Sequence, residues 1–232
     1  MSYVYFMLIN PFVIGDWDYV LKVWSSWQSL NVGILAFISS LIAFSISKYN
    51  SEKKRSREFV AAKAFLPEAL SELCRYFKES AVLYVEAYIR ASDKEDSCKT
   101  SLNIALPNLP ADYRDVFSKC ISTAKPDVGE HLAYILSRLQ VHNARLKISH
   151  IEFKPESSMV KIPSGIMANI YHLGELQALV NKTYTFARST GVIDFSSVTL
   201  SEFINAYRCL DIEIEEINEL YEFTKRACES GN

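Results

Sequence analysis

The chain has 232 residues, with 25 Lys and Arg against 27 Asp and Glu, and this length suits either one domain or a membrane anchor joined to a domain. The net charge of −2 decides little, but its distribution favours the second reading: 22% of residues are charged, yet none lies between Val23 and Ser47. Five widely spaced cysteines, Cys74, Cys98, Cys120, Cys209 and Cys228, form no C-x-x-C pair, which argues against a disulfide framework or zinc site and leaves free thiols of a reducing compartment.

Residues 1–22 read as an extracytoplasmic or interfacial segment. The stretch Met1 to Gly15 is uncharged but short, is interrupted by Pro11, and is followed by Asp16 and Asp18. A half-inserted segment is expected there, and a second short span is the alternative.

Residues 23–48 are the expected transmembrane helix. As a helix, Leu30 to Ser47 rises about 27 Å, close to the ~30 Å hydrocarbon core of a bilayer. Trp17, Trp24, Trp27 and Tyr19 gather at its N-terminal side, at the headgroup level such rings prefer. No basic n-region and no A-x-A site is present, so a retained signal anchor is expected rather than a cleaved peptide. Lys48, Lys53, Lys54, Arg55 and Arg57 follow the run and only Lys22 precedes it closely. The positive-inside rule then places the C-terminal side in the cytoplasm. The same five side chains suit anionic lipid headgroups, at about 1 kcal/mol each near the surface.

Within the run, Ser26, Ser29, Gly33, Ala36, Ser40, Ala43 and Ser47 recur at alternating steps of three and four, while Val23, Trp27, Leu30, Ile34, Phe37, Leu41 and Phe44 form a large-residue stripe opposite. Lipid supplies no hydrophobic drive between helices, so close approach across small residues and serine hydrogen bonds must supply association. A repeat averaging 3.5 residues favours a left-handed crossing. Ser29, Gly33, Ala36, Ser40, Ala43 and Ser47 are therefore the expected helix–helix interface of a homo-oligomer. Packing on the chain's own first segment, or on another membrane protein, is the alternative.

Residues 49–232 read as a cytosolic bundle of five or six helices, which makes the fold class all-α. Phe59, Leu66, Leu70, Leu73, Phe77 and Tyr84 share a face, with Pro67 marking a kink or a fresh start. Residues 92–110 carry loop chemistry. Helices are expected over Asp112–Thr123 and Asp127–His150, and a short strand over Met159–Ile162. Ile166, Ile170, Leu173, Gln177, Val180 and Tyr184 line one further helix. Leu200, Phe203, Tyr207, Leu210, Ile214, Ile217 and Tyr221 line another, started by a Thr199/Glu202 capping box and carrying the solvated acidic run Asp211, Glu213, Glu215, Glu216 and Glu219.

No phosphate loop, nucleophile elbow, H-E-x-x-H or calcium loop is present, and no cofactor or metal is expected. His142 falls on the apolar stripe Leu132, Ile135, Leu139 and Leu146 and reads as a hydrogen-bonded core histidine. Arg145 and His150, in the order Arg145-Leu-Lys-Ile-Ser-His150, resemble the arginine–histidine motif of the HEPN superfamily of helical RNases, which pair two chains to build one site. They are the only candidate catalytic residues, and on a straight helix they lie roughly 140° apart. Beyond the juxtamembrane cluster, basic residues are interspersed with acids, so direct nucleic-acid binding is not expected.

The succession of small-residue span, basic collar and helical bundle resembles the membrane-anchored effectors of bacterial anti-phage systems, including those encoded beside retrons. The resemblance is one of layout over the whole chain. It implies a toxin-like protein whose cytosolic domain, held by a protein regulator, releases the membrane segments to cluster and perturb the bilayer. A membrane-tethered scaffold with a partner-binding bundle, and an anchored RNase, are the alternatives.

Overall fold

The computed structural model describes residues 5, 9–93, 101–157, 162–217 and 219–230, and among them the regular structure is helical, with no strand. The chain divides into two units, residues 1–54 and 55–232.

In the first unit, helix α1 (Asn10–Ile14) begins on Pro11 and stops at Gly15, whose φ of 75° lies in the left-handed region that glycine enters without cost. Helix α2 (Trp17–Ser26) is capped by the Asp16 carboxylate, which accepts the Asp18 N–H at 3.1 Å. Helix α3 (Gln28–Lys63) follows after a break at Trp27. The expected single helix from residue 23 is therefore divided at Trp27, whose φ of −106° and ψ of 11° leave the helical region while its N–H still donates to the Val23 carbonyl at 3.2 Å.

In the second unit, Pro67 starts a new helix: α3 ends at Lys63, and α4 (Leu66–Ser92) has the proline in its first turn, where a missing N–H costs nothing. Its buried face carries Leu66, Leu70, Leu73, Phe77 and Tyr84, as the spacing requires. Residues 101–112 are irregular but tied down. The Glu86 carboxylate accepts the N–H groups of Asn103 and Ile104 at 2.7 and 3.0 Å, and Arg90 donates to the Ser101 carbonyl at 2.9 Å.

Helices α5 (Tyr113–Thr123), α6 (Pro126–Glu152) and α7 (Pro163–Ala187) match the expected segments to within a few residues. The expected strand over Met159–Ile162 falls almost wholly outside the described residues; Ile162 is extended and caps α7. Helix α7 packs on α4, α6 and α8 (Leu200–Cys209), which makes it the centre of the bundle. The Thr199/Glu202 capping box forms at the start of α8.

The expected continuous helix from Leu200 to Tyr221 is not formed. It stops at Cys209, Asp211 takes a φ of 56°, a short 3-10 turn spans Ile214–Glu216, and α9 (Leu220–Ser230) begins afresh. A helix through this stretch would stack Asp211, Glu215 and Glu219 at steps of four, each like-charge pair costing a few tenths of a kcal/mol. Breaking it buries Ile212, Ile217 and Leu220 and lets Asp211 reach Lys78 at 2.9 Å.

Gly174 on α7 marks the closest approach to α8. A Cβ there would lie 2.5 Å from Cε1 of Tyr207, a buried ring whose hydroxyl is also bonded to Thr224 at 2.9 Å. Gly174→Ala is expected to destabilise the bundle by about 1–3 kcal/mol, seen as a lower midpoint in thermal unfolding. An unchanged midpoint would mean that the ring yields freely.

Candidate functional site

Helix α3 carries the chain's most distinctive surface. It contains a window of mean hydropathy 2.0 with no buried residue, which makes it long and apolar enough to cross a membrane. Val32, Leu35, Phe37, Leu41, Ile42 and Phe44 are each at least half exposed. So much contiguous apolar surface is more than soluble monomers ordinarily show to water.

Ser29, Gly33, Ala36, Ser40, Ala43 and Ser47 all lie on α3 and are all exposed, at steps that keep them on one helix face. Ser26, Val23 and Trp27 precede α3, so both stripes begin later than their sequence spacing implies. The Ser40 hydroxyl donates to the Ala36 carbonyl at 2.9 Å, and the Ser45 hydroxyl to Leu41 at the same distance. Their donors are thus satisfied inside the helix, as an apolar medium demands. A second helix set against this face would meet small side chains and a Ser40 donor that is already taken.

Lys48, Lys53, Lys54, Arg55 and Arg57 follow on the same helix, all exposed, with Lys53 Nζ 5.7 Å from the Tyr49 ring centroid. They form a collar within the three turns that follow the apolar run.

The remaining candidates lie on α6. Arg145 and His150 are both partly exposed on a helix that runs unbroken from Pro126 to Glu152, so no bend closes the angle between them. Among the described contacts none joins the two side chains. The Arg145 charge instead acts on His142 and His172, helping to hold both imidazoles neutral. His142 is a core residue, as expected, but its Nε2 has no hydrogen-bond partner among the described residues. Tyr76, Phe77 and Tyr84 surround it edge to face, with centroids at 5.7, 6.0 and 5.8 Å.

One polar cluster was not legible in the sequence. Arg138 on α6 forms an ion pair with Glu175 on α7, and its guanidinium donates to His172 Nδ1 at 3.1 Å. The Tyr134 hydroxyl donates to the other Glu175 oxygen at 3.4 Å. Burial first, then the charges of Arg138 and Arg145, push His172 down to about 4, so the ring is a neutral acceptor. Steps of four (Tyr134, Arg138) and three (His172, Glu175) are visible in sequence, but only the pairing of α6 with α7 unites them. Beside it opens a cleft of about 330 Å³ lined by His131, Tyr134, Tyr171, Glu175 and Cys228. Burial raises the Cys228 thiol and the Tyr171 phenol, so the cleft holds no activated nucleophile of these types.

Among the described residues no three His, Cys, Asp or Glu side chains converge to hold a metal ion, and Cys74, Cys120, Cys209 and Cys228 are free. Cys98 lies outside the described residues. These features define an all-helical protein with one helix able to cross a bilayer. No known protein family, curated protein or solved structure matches the chain.

Proposed function

We propose that this chain is a membrane-anchored helical effector. It oligomerises through the small-residue face of α3 and perturbs the bacterial inner membrane when its cytoplasmic bundle is released by a regulator. The observation that carries this reading is α3 itself, an apolar helix with no buried residue in its most apolar stretch and one face made only of small side chains. The basic collar supports a cytoplasmic C-terminal side and contact with anionic lipid. In this reading the bundle binds a protein regulator, and the role requires no cofactor. A membrane-tethered scaffold and an RNase using Arg145 and His150 are the competing outcomes of the test.

The test is induced expression in cells loaded with a membrane-potential dye, with a reporter active only in the periplasm fused after Asn232. The expected result is rapid depolarisation that requires residues 1–50, a silent reporter, and an effect retained in Arg145→Ala and His150→Ala. RNA cleavage lost in both substitutions at normal protein level would replace the effector with the nuclease. Neither effect would leave the scaffold, and an active reporter would reverse the orientation.

A further inference from the structure

Helix α6 buries one stripe, including Leu132, Ile135, Leu139 and Leu146, and faces outward on the other side. Outward-facing positions of a bundle helix are ordinarily charged or polar. Here six of them, Tyr134, Ser137, Val141, Ala144, Ile148 and Ile151, follow steps of three and four without interruption, and none is charged. The four larger ones are exposed by 47% (Tyr134), 42% (Val141), 53% (Ile148) and 52% (Ile151). This is a heptad seam over two and a half repeats, set on the solvent side of a helix whose core contacts are already complete.

We propose that this seam pairs with the same seam of a second copy, as a short parallel two-stranded coiled coil outside the membrane segment. Three features select that occupant. Val141 and Ile148 put β-branched side chains at the first core position of successive heptads, the position where two parallel strands accept them. Ser137 and Ala144 at the alternate position let the backbones approach closely. The flanks are self-complementary: in parallel register Lys147 of one copy faces Glu152 of the other, twice by symmetry, and Gln140 faces Arg145 without repulsion. Neither Lys147 nor Glu152 takes part in an ion pair within the chain among the described residues. The antiparallel arrangement sets Arg145 against Arg145, and would pair Glu152 with Arg138, which Glu175 already holds. Parallel pairing is therefore favoured.

The pairing does not depend on α3 clustering or on any effect on the bilayer, so the two can fail separately. The test uses the full chain reconstituted in lipid vesicles, with Cys98→Ser and Cys209→Ser to lower background. Ala144→Cys is expected to give a disulfide-linked dimer on mild oxidation, whereas Ser118→Cys, exposed on α5, gives none above the parent chain. Adding Val141→Glu and Ile148→Glu places charges in the seam and is expected to abolish the Ala144 cross-link, with the helical content unchanged because both positions face solvent within one copy. Three results would overturn the proposal: no Ala144 cross-link in folded protein, equal cross-linking at Ser118, or linkage only between Val141→Cys and Ala144→Cys chains. Persistence of the Ala144 cross-link when the α3 face is blocked would separate this interface from the membrane one.

Discussion

Leucine at Ala36, Ser40 and Ala43 together is expected to abolish cross-links formed between α3 helices and, with them, depolarisation, while the protein still inserts at its normal level. The three positions are exposed on one face of α3, and leucine keeps the helix apolar and long enough to span. Each added side chain moves a partner helix outward, and without a hydrophobic drive in lipid the lost close contacts have no substitute. The Ser40 donor is already spent on the Ala36 carbonyl, so replacing it strands no partner group and the effect is one of shape. Exchanging Ile34, Phe37 and Leu41 for other large apolar residues alters lipid contact alone and is expected to be nearly silent. The comparison is read by cross-linking in native membranes and by the dye response. Equal behaviour of the two triples would remove the small-residue face as the basis of association.

The second large effect is on stability and is set by pH. The His142 ring sits among Tyr76, Phe77 and Tyr84, and burial, aided by the Arg145 charge, pushes its pKa down to about 3. An unfolded histidine titrates near 6.5, so between these values the unfolded chain binds a proton that the folded chain refuses. The stability due to neutral His142 is complete above pH ~6.5 and is lost as pH falls, by roughly 2 kcal/mol at pH 5. His131 and His172 are shifted in the same direction and add to the slope. The carboxylates lowered by folding, Asp194 and Glu202, lose their contribution only at still lower pH. Denaturation in detergent at pH 7.5 and 5.0 should therefore show a marked loss, and His142→Phe, which retains an aromatic ring in that setting, should remove much of it. A His142→Phe protein with the parental pH dependence would assign the slope to other groups.

The elements whose nature depends on the chain alone were legible from sequence. The apolar run, its small-residue face and its basic collar need no partner to be recognised, because length, hydropathy and step size are properties of one helix. The same holds for the inward stripes of α4, α6 and α7, where burial follows the 3.6-residue period. Pro67 as a fresh helix start and the Thr199/Glu202 cap are equally local. What the tertiary structure decided were the places where one element's conformation depends on another. Residues 210–219 carry a good helical period, yet they break because Ile212, Ile217 and Leu220 are buried better off-helix and Asp211 finds Lys78 on α4. Arg138, His172, Glu175 and Tyr134 are ordinary surface spacings on two separate helices, and become a partly buried ion-pair cluster only when α6 lies against α7. The outer seam of α6 was hidden for the same reason: its heptad lies beside a second apolar stripe on the same helix, and sequence cannot say which stripe the bundle covers and which it leaves to solvent.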